Sequence, residues 1–353
     1  MRGIMKEKKG IIFMQNEIKK KQPLLNEFGH LSNPGYAKQL LFDYNRNQIK
    51  ASKLRIKEWD YYLITNDKFG VAFTIADNAY IGFVSVTILD FVNKDYKFFS
   101  KIIPFTMGKL NMPPSSTTGD VIYKNKKIEL SYITKENLKI IKVDIPKFND
   151  LPLKGEIILS GIPKESMVIA TPFEKKKKAF YYNQKINCMN AFGQLKHGNQ
   201  IYKFDNADAT LDWGRGVWTY DNTWFWGTCS SKINGVPFGF NIGYGFGDTS
   251  NASENMIFYD GKAHKLDQIT FNIETINGKY QYLENWNFTS NDQRFELSFT
   301  PLLDRTDKIS LLFLVSDQHQ IFGRVNGFVI LDDGTKLNVN NILASAEVVH
   351  NRW

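Results

Sequence analysis

From Trp59 to its end the chain is a series of short β-branched and aromatic runs, each closed by Pro, Gly, Asn or a charged cluster. The closures recur roughly every 8–15 residues, which is the spacing of an all-β sandwich or barrel. The first half predicts strands over Val71–Ala76 and Ala79–Val92, with a turn at Asp77-Asn78. Further strands are expected over 127–133, 138–145, 156–159, 167–170 and 179–182. In the second half Asp221-Asn222 reads as a hairpin turn between Val217–Tyr220 and Thr223–Trp226. Strands are then expected over 238–246, 269–276 (before the turn pair Asn277-Gly278), 295–299, 309–315, 321–331 and 336–349. No stretch sustains an apolar repeat of 3.6 residues over three turns, so helices are expected only as short connectors. Aromatic residues make up 14% of the chain, an excess that suits pleated, half-buried surfaces and leaves rings over to line a pocket.

A chain of 353 residues is long for one core and natural for two lobes. Residues 15–199 and 200–353 are the expected β domains, with 15–50 an irregular lead-in. Residues 1–14 read as a disordered extension or one begun upstream of the true start, Met5 or Met14. The net charge of +9 points weakly to nucleic acid, but within residues 1–21 seven Lys or Arg oppose two Glu. More than half of the excess therefore sits at one end rather than in a basic stripe, and no nucleic-acid partner is expected. Two isolated cysteines, Cys188 and Cys229, form no disulfide framework and fit a reduced cytoplasm. Without an apolar run of 18 residues no membrane span is expected. The oligomeric state is not legible.

Three constellations carry candidate chemistry. Leu211-Asp212-Trp213-Gly-Arg215-Gly-Val-Trp218, followed by Trp224 and Trp226, places four of the seven tryptophans within fourteen residues. It reads as an aromatic core with an Asp212–Arg215 pair locking a turn, or as an aromatic pocket wall with that pair at its mouth. The segment from Gly239 through Tyr244 to Asp248 puts Gly239, Gly243, Gly245 and Gly247 on one face if extended. That face would admit a ring, a backbone or a ligand, with Asp248 and Glu254 near its rim. It lacks both phosphate-loop spacings. The polar run Ser316-Asp317-Gln318-His319-Gln320 places Asp317 and His319 on one face and the other three opposite. An Asp bonded to a His is a standard acid–base pair. It is equally a satisfied polar network at a barrel end. The five histidines are scattered, so no metal is expected, and nothing calls for a cofactor.

Several stretches together resemble the family catalogued as domain of unknown function 2804. They are Arg55–Tyr62, Phe73–Asp77, Phe180–Lys185, Leu211–Trp218, Gly239–Asp248, Glu254-Asn255, Ser316–Gln320 and Asn351-Arg352-Trp353. A weaker, fold-level similarity to double lipocalin-like, carotenoid hydratase-like proteins implies two lipocalin-like antiparallel barrels or half-barrels packed side by side. Neither resemblance transfers a catalytic residue. The leading expectation is a small, largely apolar or aromatic ligand held by Trp213, Arg215, Trp218, Trp224, Trp226, Tyr244, Asp248 and Glu254. The alternatives are a cofactor-independent hydratase, isomerase or cyclase using Asp317, His319 or Asp212, and a glycan-binding or glycan-active protein.

Overall fold

The computed structural model describes residues 15–311 and 314–353, so the expectation for residues 1–14 lies outside it. Among the described residues the only helices are two 3-10 turns, Arg46–Gln48 and Lys53–Arg55. Most of the rest is two curled, antiparallel half-barrel sheets, accompanied by two two-stranded ribbons. The first has 13 strands and the second nine. None of the described helices is long and apolar enough to cross a membrane.

In the first sheet the strands Asp95–Pro104, Ile81–Asp90, Phe69–Asp77, Ile56–Thr65, Ala207–Val217 and Lys176–His197 lie side by side. In the second, Val236–Tyr244, Asp221–Ile233, Lys336–Arg352, Leu314–Ile330 and Phe295–Leu311 do so. The expected division at 199/200 falls in the first sheet, between Lys176–His197 and its hairpin partner Gln200–Lys203. The change of sheet comes at 218–220. The expected Asp221-Asn222 hairpin does not form, because Ala207–Val217 and Asp221–Ile233 belong to different sheets, and Asp221 pairs with Arg352 instead. The expected strand 309–315 is split between the end of Phe295–Leu311 and the start of Leu314–Ile330, and 312–313 lie outside the described residues.

Side-chain alternation gives each sheet two apolar faces. One face curls around its own filled interior. Tyr62, Phe73, Tyr132, Phe148 and Trp213 fill the first. Phe238, Phe240, Trp286, Phe295 and Phe299 fill the second. The opposite faces meet at a seam where Leu63, Ala72, Leu89 and Phe91 touch Leu303 and Phe322. Between the two sheets a cleft remains open.

A bulge joins the two sheets. The register of Lys176–His197 against Ala207–Val217 shifts between Ile186 and Met189. Cys188 there adopts φ +63°. The displaced residues reach across. Asn187 Nδ2 donates to Thr228 Oγ1 at 2.7 Å, the Cys229 carbonyl at 2.9 Å and the Phe240 carbonyl at 3.2 Å. The Cys188 amide donates to Ser230 Oγ at 2.9 Å. Gly239 makes room for this, since a Cβ on it would lie 2.8 Å from Cys188 Sγ. Bulges commonly redirect side chains in this way. Asn187→Ala leaves buried acceptors without their donor and is expected to cost about 1–3 kcal/mol, read as a lower urea midpoint. An unchanged midpoint would refute the role given to the bulge.

Candidate functional site

The site is a cleft of about 450 Å³ between the two sheets. Strand register builds its walls. On the first sheet Ser100, Ser85, Thr74, Tyr61, Asp212 and Lys185 align in one row across six strands. On the second, Trp226, Glu347, Gln320 and Arg305 form a facing row. Trp224, Val349, Gln318 and Asp307 form the next row outward.

The floor is polar and closely connected. Lys185 Nζ pairs with Asp212 Oδ2 at 2.8 Å and lies 4.1 Å from the centre of the Trp226 ring, which comes from the other sheet. Asn183 Nδ2 donates to Asp212 Oδ1 at 2.8 Å. Gln320 Nε2 lies beneath and donates to Glu347 Oε1 at 2.7 Å and to Tyr61 Oη at 2.8 Å. Burial, then the nearby Asp212 charge, pushes the Glu347 carboxyl up to about 7, against the opposing pull of Lys185 and Arg305. A carboxyl in this range can hold or release a proton near neutral pH.

The rim is aromatic and centred on Trp218. Its ring lies 5.8 Å from Trp59, 5.4 Å from Trp224, 5.7 Å from Tyr181 and 6.1 Å from Trp353, mostly edge to face. Gly214 lets Trp59 lie flat across its strand, because a Cβ there would sit 2.1 Å from the indole. The Nε1–H groups of Trp218 and Trp353 have no hydrogen-bond partner among the described residues. At the same rim Lys57, on the face of Trp59, lies 4.2 Å from the Tyr80 ring centre and 4.7 Å from that of Trp353. Burial lowers its ammonium to about 7.

Of the residues singled out from sequence, Asp212, Trp218, Trp224 and Trp226 line this cleft. Trp213 and Arg215 do not. They alternate to the opposite face of their strand and are fully buried in the first core. The expected Asp212–Arg215 pair is replaced by two others. Asp212 takes Lys185, and Arg215 Nη1 binds Asp60 Oδ1 at 2.9 Å. Arg215 also donates to the carbonyls of Trp59, Gly214 and Pro113 and lies over the Trp213 ring. Tyr244 stacks on Phe225 at 4.7 Å, outside the cleft. Asp248 closes a turn on the Ser250 amide. Glu254 is buried behind the rim, accepts from Tyr181 Oη at 3.2 Å, and is pushed up to about 7 by burial. The glycine face holds for Gly239 and Gly243 only, since Gly245 and Gly247 are positive-φ residues beyond the strand end at Tyr244.

Asp317 and His319 share a face as expected, but it is the face turned away from the cleft. His319 Nδ1 bonds Asp304 Oδ2 at 2.7 Å, and its ring stacks on Tyr282 at 3.9 Å. Asp317, half-buried, pairs with Lys308 at 2.8 Å and lies 3.7 Å from His319 Nε2. Ser316 and Gln318, on the other face, line the cleft. The sequence reading also missed Lys185, Glu347, Arg305, Trp59 and Tyr61. The overlooked signal was a lone charged residue inside an otherwise apolar strand run, as in Ala344-Ser-Ala-Glu347-Val-Val. Among the described residues no group of three His, Cys, Asp or Glu is placed to hold a metal ion.

The two acidic placements predict opposite outcomes in unfolding experiments. Arg215→Met strands the buried Asp60 and is expected to cost about 3–5 kcal/mol. Asp317→Asn removes an exposed pair and is expected to stay within about 0.5 kcal/mol. A large loss from the second would return Asp317 to importance. Glu347 also fixes a pH dependence. Burial holds the proton on its carboxyl up to about 7 in the fold, whereas in the unfolded chain it ionises at the ordinary glutamate value of 4.5. Between those values the native state holds more protons, so its contribution is complete below about 4.5 and lost as pH rises through about 7. Glu347→Gln is therefore expected to gain stability relative to wild type from pH 5 to pH 8, by about 1–3 kcal/mol. A difference that does not change with pH would refute this.

Residues 15–353 match the model of a family described as Domain of unknown function (DUF2804). Among curated proteins none matches the sequence. The fold is shared with kievitone hydratase from Nectria haematococca at TM-score 0.51 and 12% identity, covering 84% of this chain and 88% of that one. An AttH candidate from Nitrosomonas europaea aligns at TM-score 0.44 and 11% identity, over 88% of this chain and 96% of its own.

Proposed function

The chain belongs to the family described as Domain of unknown function (DUF2804), whose description carries no activity, and we propose that it binds a small, largely apolar, ring-bearing molecule in the cleft between its sheets. The cleft itself carries this reading. Its volume of about 450 Å³ lies within the usual range for small-molecule sites. Its rim offers the ring faces and edges of Trp59, Trp218, Trp224 and Trp353. Its floor offers a few fixed polar groups, Asp212, Lys185 and Glu347, to orient a guest.

A second reading rests on Glu347. A carboxyl held near neutrality next to the neutralised Asp212–Lys185 pair suits proton transfer to a bound apolar molecule, the step a hydratase needs. One protein of the same fold is named as a hydratase. On this reading a molecule recovered with the wild-type protein gains one water by mass, and Glu347→Gln binds it without converting it.

The binding reading is tested by calorimetry with naphthalene-2-carboxamide, a neutral two-ring probe. Saturable binding is expected, weakened about tenfold or more by Trp224→Ala, since stacked aromatic contacts of this kind contribute on the order of 1 kcal/mol beyond their buried area. Binding that ignores Trp224→Ala, or that never saturates, would place the ligand elsewhere.

A further inference from the structure

We propose that Arg305 anchors an acidic oxygen, a carboxylate or phenolate, on the ring-bearing ligand of the cleft; this deepens the binding reading above and rests on it. Arg305 lines the cleft and is only 8% exposed. Its guanidinium makes no hydrogen bond or ion pair among the described residues, and its Nε is buried without a partner. It lies over the Phe98 ring, 4.8 Å away, and acts on Glu347 and Tyr61 only through space. The other deeply buried cations differ. Lys185 has Asp212, Arg215 has Asp60 and three carbonyls, and Lys57 has the Asn78 carbonyl. A buried, unmatched cation is costly unless something completes it.

The surroundings favour an anion over a second cation or a plain hydrocarbon. The planar guanidinium fork matches the two oxygens of a carboxylate. Gln320, its neighbour on the floor row, already spends its Nε2 on Glu347 and Tyr61. Ser85 and Thr87 on the facing sheet line the cleft and add hydroxyl donors. Acidic groups also face this region. Asp212 is neutralised by Lys185, Glu347 is held near its midpoint at neutral pH, and Asp307 lies one row outward. Asp304 is turned to the opposite face, where it holds His319. The guest thus places its charge at Arg305 and its rings against the tryptophan rim.

The test compares naphthalene-2-carboxylate with naphthalene-2-carboxamide by calorimetry on the full chain at pH 7.5. The wild type is expected to prefer the carboxylate by about tenfold or more, or about 1.4 kcal/mol. Arg305→Gln is expected to abolish that preference. Equal affinities in the wild type, or a preference that survives in Arg305→Gln, would overturn the assignment and leave the cleft reading intact. Failure of both probes to bind would overturn the cleft reading and this inference together. The wild-type ratio decides the matter even if the variant does not fold.

Discussion

The Lys185 ammonium occupies the point where the two sheets become one structure. Its charge is matched by Asp212 on its own sheet, and its open side is covered by the Trp226 ring of the other. Two residues further along the same strand the bulge sends Asn187 and Cys188 across the seam. Separated sheets would expose this ion pair to water and leave Asn187 without its acceptors. The relative position of the sheets is therefore set by polar groups whose alternatives are expensive, more than by non-directional apolar contact. A cleft between two bodies keeps a definite shape only when such directional contacts hold its floor.

That floor explains why the polar and aromatic groups of the cleft fall into bands. Antiparallel register puts side chains of neighbouring strands directly opposite one another, so a row across the sheet is a line of contacts. Here one row carries most of the ionisable groups, and the aromatic rim lies outward of it. A guest entering past Trp218 and Trp224 meets rings first and charges last. On the proposed reading this order suits molecules with an apolar body and a polar end.

The two-sheet architecture was readable because its signals are local: turn residues, alternation and the absence of helical periodicity. The site was half readable. Asp212, Trp218, Trp224 and Trp226 came from the right cluster, yet Trp213 and Arg215 from the same eight residues went to the core. Alternation says which residues share a face and not which face is inside, and here both faces of the strand are buried. Asp317 and His319 do approach each other, at 3.7 Å, but outside the cleft: their neighbours Ser316 and Gln318 took the cleft face. A shift of one residue exchanges the two faces completely. Lys185 and Glu347 were invisible as partners because their pairing depends on which strands are neighbours. The strand that holds Lys185 runs on to His197, far past the segment recognised as extended. The mistaken hairpin at Asp221-Asn222 shows the same limit, since a turn pair marks a change of direction and does not say whether the next strand joins the same sheet.

Unsatisfied polar atoms give the last indication of what the cleft is for. Along its walls the Nε1–H groups of Trp218 and Trp353, the Tyr80 hydroxyl, the Asn78 and Asn351 side-chain oxygens and Arg305 Nε all lack hydrogen-bond partners among the described residues. The indoles and the amide oxygens are single donors or acceptors that one water each can satisfy at the rim. Arg305 is different in kind. It is a full charge with five donors, on the floor row and 8% exposed, where water is a poor substitute for an anion. On the proposed reading a guest's negative oxygen completes the Arg305 end, whereas single waters suffice at the rim. The energetic asymmetry of the cleft points in the same direction as its shape, from an adaptable aromatic entrance to a demanding polar end.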